Sequence, residues 1–113
     1  MIVIKNDIIP LKGYAAVTIW PFVFVREGYA EGDPEKFGVM LNHEGIHGRQ
    51  QLELLVVFFY LWYLVEWLYR SVEYGSWKKG YRNISFEREA YANEGDMCYL
   101  ESRKWYSWFM YLR

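Results

Sequence analysis

The chain reads as an α+β domain: a small N-terminal antiparallel β-sheet or hairpin packed on a bundle of three to four helices. Three observations carry this. Residues of strong β propensity cluster before residue 27, in runs broken by Pro and Gly. From residue 33 the apolar positions recur at helical spacing. Between Arg49 and Tyr74 there is neither Gly nor Pro, which leaves room for a helix of several turns. At 113 residues the whole chain, 1–113, is one domain. Strands fall in 1–28, a motif-bearing helix and an apolar aromatic helix in 33–74, and a further helix with an aromatic C-terminal helix in 84–112.

The elements follow in order. Residues 2–4 are β-branched and apolar, a short strand; Asn6-Asp7 and Pro10 to Gly13 read as turns. Val17 to Trp20 and Phe22 to Val25 are strand-like, and Pro21 between them marks an edge, a bulge or a turn because it cannot donate to a ladder. Such a sheet covers one face of the helices, or offers an edge to an extended peptide. Gly28 to Gly32 reads as a loop. Asp33-Pro34-Glu35 is a helix start, with Asp as N-cap and Pro in the first turn. Met40, His43, His47, Gln51 and Leu54 form one stripe of that helix; Gly38, Gly45 and Gly48 weaken it, and are either small positions for close approach or simply tolerated.

Residues 52–70 are apolar almost all round, with an uncharged run of 12 residues from Leu54 to Val65. A bilayer span needs about 20. The run predicts a central buried helix, with an interfacial helix as the alternative, and Glu53, Glu66 and Arg70 at its wet ends. Residues 74–80 read as a loop, and Lys78, Lys79 and Arg82 as a solvated basic cluster. Ser85 is an N-cap for a helix through Glu94; Gly95-Asp96 ends it, and another helix is expected through Tyr99, Arg103, Trp105 and Trp108. The aromatic tail would pack on the apolar helix, form a homodimer seam or touch lipid.

Hydrophobic residues make up 53% of the chain and aromatics 21%, well above ordinary usage. The core is unusually aromatic, or aromatic surface is kept for a partner. A net charge of −1 gives no electrostatic case for nucleic-acid binding. The single Cys98 excludes an intrachain disulfide and a multi-thiolate metal site. No basic segment followed by an apolar one opens the chain, so a cytoplasmic location is expected, with membrane association as the alternative.

The chemistry concentrates in His43-Glu44-Gly45-Ile46-His47, which holds both histidines of the sequence. Residues four apart lie on one helix face, so the two imidazoles can grip one Zn2+ at about 2.0–2.1 Å per bond. Glu44 sits where it can take a proton from a metal-activated water. The plain alternative is a capped pair of helix histidines. A third ligand has to be Asp or Glu, since no other His exists. Glu53 lies about 9 Å further along the same helix, and on a continuous helix Glu66 lies about 28 Å beyond His47. Glu87, which opens a separate helix, is the best remaining candidate; its own alternative is an acid favoured at a helix N-terminus.

Phe86-Glu87-Arg88-Glu89-Ala90-Tyr91 resembles the Glu-x-x-Ala-(Asp/Asn) ligand helix of gluzincin-type zinc peptidases. The layout as a whole resembles the minigluzincins, and is similar to a family of small uncharacterised bacterial HExxH proteins. The resemblance implies that Glu87 is the third ligand and that Ala90 lets the helices approach. It departs at Tyr91, where those families hold an Asp or Asn that orients a zinc-binding His; Tyr91, Asn93 or Glu94 is the expected substitute. It also implies that a chain terminus, here the aromatic tail, can plug the cleft. The sequence therefore predicts a zinc metallopeptidase acting on a peptide or protein, with one Zn2+ on His43, His47 and Glu87, and Glu44 as general base. Oxyanion or orienting candidates are Tyr81, Arg82, Tyr91 and Glu94. Two rivals are a non-catalytic metal-binding or regulatory module and a membrane-associated protein. Glu89, two residues from Glu87, is expected to face solvent or lie behind the site.

Overall fold

The computed structural model describes residues 1–6, 15–29 and 31–112. It is an α+β fold: a three-stranded sheet against helices. Strand β1 is Ile2–Asn6, β2 is Ala16–Ile19 and β3 is Phe22–Arg26. The order is β1-β3-β2, and the sheet is mixed rather than antiparallel throughout. β2 and β3 form an antiparallel hairpin through Trp20 and Pro21, with Thr18 opposite Val23, whereas β1 pairs with β3 in parallel, Ile4 opposite Phe24. The reason is topological. Two chain reversals separate β1 from β3, so they run the same way, and β1 takes the edge of β3 that β2 leaves open. The expected turns at Asp7 and at Pro10 to Gly13 lie outside the described residues.

Helix α1 runs Pro34–Tyr74. Asp33 caps it as expected, its Oδ1 accepting from the Lys36 N–H at 3.1 Å, with Pro34 in the first turn. Straight, 41 residues would reach about 60 Å. The molecule is at most 38 Å long. The helix reverses at Leu55, whose φ of 61° and ψ of 150° are not helical, and becomes two arms, 34–54 and 56–74. No Gly or Pro marks this turn. The reversal lets Phe59 reach His47 and the Tyr60 hydroxyl reach the Thr18 carbonyl.

Residues 74–80, expected as a loop, contain the start of helix α2, Trp77–Arg82, capped by Ser76. Gly80 lies directly against Ser71; a Cβ there would fall 2.6 Å from the Ser71 backbone, so only Gly permits this packing. Helix α3 is Ser85–Asn93. Ser85 is its first residue, not its cap. The Glu66 carboxylate performs the capping from the second arm, accepting from the Ser85 N–H and Oγ–H, each at 2.6 Å. Glu66 and Arg70 are therefore buried and not at wet ends, and Glu53 is likewise locked onto Arg103 at 2.8 Å.

The expected last helix is broken. Helix α4 spans only Tyr99–Ser102, and a 3-10 turn covers Ser107–Tyr111. Arg103 adopts extended backbone between them, its guanidinium buried between Glu53 and Glu89. Trp108 from the 3-10 turn joins Phe59, Ile84 and Phe86 in the main core, Phe59 stacking on Phe86 at 4.5 Å. Cys98 is exposed.

Candidate metal centre

The first arm of α1 carries His43, Glu44 and His47 on one face, all buried. Helix α3 brings Glu87 to the same point, because Glu66 fixes its start and Phe86 anchors its inner side under Phe59. Three atoms converge. His43 Nε2 and His47 Nε2 are 3.2 Å apart, and Glu87 Oε1 lies 3.2 Å from the first and 3.1 Å from the second. A tetrahedral ion with bonds of about 2.0–2.1 Å spaces its ligands about 3.3 Å apart. The observed triangle fits that shell.

The outer contacts make the fit chemical as well as geometric. His47 Nδ1 donates to Gln50 Oε1 at 2.8 Å, and His43 Nδ1 donates to Glu94 Oε2 at 3.0 Å. Both partners accept only, so each neutral ring keeps its hydrogen on Nδ1 and turns the Nε2 lone pair inward. Three acceptors then face one another in a buried site, which calls for a proton or a cation between them. Burial pulls the His47 ring down, but the Glu87 carboxylate, a hydrogen bond to it and the Glu44 charge lift it to about 9. Burial likewise pushes Glu87 up, yet His47 and then His43 hold it well below the usual carboxylate range. Tyr63 supplies a further O–H to Glu87 Oε2 at 2.7 Å.

Glu44 also belongs to the cluster, its ligand atom lying within 4.8 Å of those of both histidines. Glu87 closes the shell, because its Oε1 lies 3.1–3.2 Å from both ring nitrogens. Glu44 Oε1 is instead held by the Thr18 hydroxyl at 2.7 Å, and Glu44 lines an adjoining groove of about 770 Å3. Ala16 of the β2 edge, Tyr29, Trp77, Tyr81 and Tyr91 also line it.

The other sequence candidates fall around this centre. The Tyr91 ring packs edge-on against His43 with centroids 4.6 Å apart, and its hydroxyl lies 3.3 Å from that of Tyr81. Burial, reinforced at Tyr81 by Glu87, raises both phenols, so each keeps its O–H at neutral pH. Glu94 takes the ring-orienting position beside His43, and Arg82 stacks over Tyr91 at 3.7 Å. Glu89 faces inward, tied to Gln50 at 2.9 Å and to Arg103 at 3.0 Å. The aromatic tail stays out of the groove: Trp108 packs on Phe86 and Trp62 on the far side of the second arm.

Sequence reasoning missed Thr18, Gln50 and Tyr63. Gln50 carried a readable signal, a polar residue three positions after His47 on the same helix. The other two depend on contacts far apart in the chain. No protein-family model, curated protein or solved structure matches the chain.

Proposed function

We propose that this protein is a zinc-dependent metallopeptidase of gluzincin type. The observation that carries the reading is the triangle of His43, His47 and Glu87 donor atoms, 3.1–3.2 Å on each side, next to a carboxylate that opens on a groove. A zinc ion held there supplies the charge that acidifies water and polarises a carbonyl.

The residues of the chain do the rest. Glu44, steadied by Thr18, takes a proton from the attacking water and returns it to the leaving amine. Gln50 and Glu94 hold the two rings in the tautomer that binds an ion. Tyr81 and Tyr91 offer O–H groups to a developing oxyanion. An extended peptide fits beside Ala16, adding to the β2 edge.

The test is hydrolysis of an unbiased peptide mixture by protein whose metal content is measured after purification without added zinc. One zinc per chain, turnover by the native protein, and loss of turnover with zinc retained in Glu44→Gln are expected. Hydrolysis that survives Glu44→Gln overturns the mechanism. Bound zinc without turnover leaves the non-catalytic module instead.

A further inference from the structure

The second arm of α1 is built the wrong way round for a soluble core helix. Within the most apolar 18-residue window of α1, only 11% of the residues are buried. Phe58, Leu61, Leu64, Val65, Leu68 and Val72 are 47–85% exposed. At about 100° per residue, these with Val57, Trp62 and Tyr69 cover about 160° of the helix surface. The charged residues Glu66 and Arg70 point the other way, where they pair at 3.4 Å and bind Ser85 and the Leu112 carbonyl. Phe59 and Tyr63, which serve the metal centre, lie on that inner side too.

We propose that this outer face is a membrane-docking surface, lying in the plane of a lipid bilayer with its apolar side chains among the acyl chains. Three features favour lipid over a second copy of the chain. A partner helix covers a narrow seam of about two residues in seven, whereas the exposed arc is far wider. A bilayer accommodates the whole arc, its acyl chains filling the shallow groove of about 1000 Å3 along Phe58, Leu61, Trp62, Val65 and Tyr69. Second, the ends carry interfacial residues. The exposed Trp105 and Tyr106, beside Lys104, are fixed next to the Leu55 turn by the Tyr106 N–H on Glu53 at 2.6 Å. The exposed Tyr74 and Trp77, beside Lys78 and Lys79, finish the other end. Third, those lysines complement anionic headgroups. Leu61 and Val65 touch neither the candidate metal ligands nor the groove beside Glu44, so docking and hydrolysis can fail independently when those two are changed.

The test is flotation of the full chain with vesicles of phosphatidylcholine, alone and mixed with phosphatidylglycerol, after detergent removal in their presence. The native protein should float, better with the anionic lipid, and Leu61→Asp/Val65→Asp should lower the floating fraction by roughly tenfold or more. Circular dichroism checks that this variant is folded. Acyl-brominated lipid should quench the native tryptophan emission, and less so in Trp62→Phe, which reads insertion even if the charged variant does not fold. The proposal is overturned by native protein that stays unbound, or by a soluble dimer that ignores vesicles and is split by Leu61→Asp/Val65→Asp. Flotation untouched by that variant also overturns it.

Discussion

At the scale of single residues, the candidate centre depends on side chains outside the triangle of donor atoms. Gln50 orients His47 and also binds the Phe86 carbonyl and Glu89. Gln50→Leu keeps the volume and removes all three bonds; zinc affinity should fall about 10- to 100-fold in a chelator competition. The raised His47 ring, 3.1 Å from the Glu87 carboxylate, gives the metal-free protein a pH signature. His47 is raised, so its stabilisation of the metal-free fold is complete below about pH 6.5 and disappears as pH rises through about 9. Glu87 is lowered, so its contribution is present above its usual range and is lost only in strong acid. The melting temperature of chelated protein should therefore fall between pH 6.5 and about 9.5, and Glu87→Gln should flatten that slope. At pH 7, zinc uptake should release protons into a weakly buffered indicator solution, because the ion displaces the proton from His47.

At the scale of elements, the Leu55 reversal decides the architecture. A non-glycine residue at φ 61° and ψ 150° costs about 1–3 kcal/mol. Leu55 is 65% exposed, so it recovers little through burial. Leu55→Gly should relieve the strain and, after the added chain entropy of Gly, raise stability by about 1 kcal/mol, or roughly 4 °C in Tm by calorimetry. Glu66→Ala should do the opposite. It leaves the Ser85 N–H without its acceptor and Arg70 without one of its carboxylates, a loss of about 3–5 kcal/mol in urea unfolding.

The same turn explains what the sequence could and could not disclose. The motif helix was legible because its Asp33 cap and its periodicity are local, and the Glu87 helix because its helical run is local even though its cap is not. The reversal was not, because no Gly or Pro marks it and a continuous helix looked sufficient. Its consequence, Glu66 capping α3, was hidden with it. Arg103 looked like one more helical residue because its carboxylate partner Glu53 is 50 positions away.

At the scale of the whole molecule, apolar groups appear on two surfaces for different reasons. Phe59, Phe86 and Trp108 close a core under the metal centre. The outer half of the second arm remains uncovered. An ion that binds only the folded chain stabilises it by mass action, so zinc at about a hundred times its dissociation constant should add about 2.7 kcal/mol. The matching rise in Tm should vanish in His47→Asn.

Both imidazoles of this chain sit against one carboxylate oxygen. Every imidazole signal in a proton NMR spectrum will therefore come from this site. The two imidazole Hε1 resonances, with no other histidine to confuse them, become a built-in gauge of occupancy, tautomer and exchange, readable on unlabelled material.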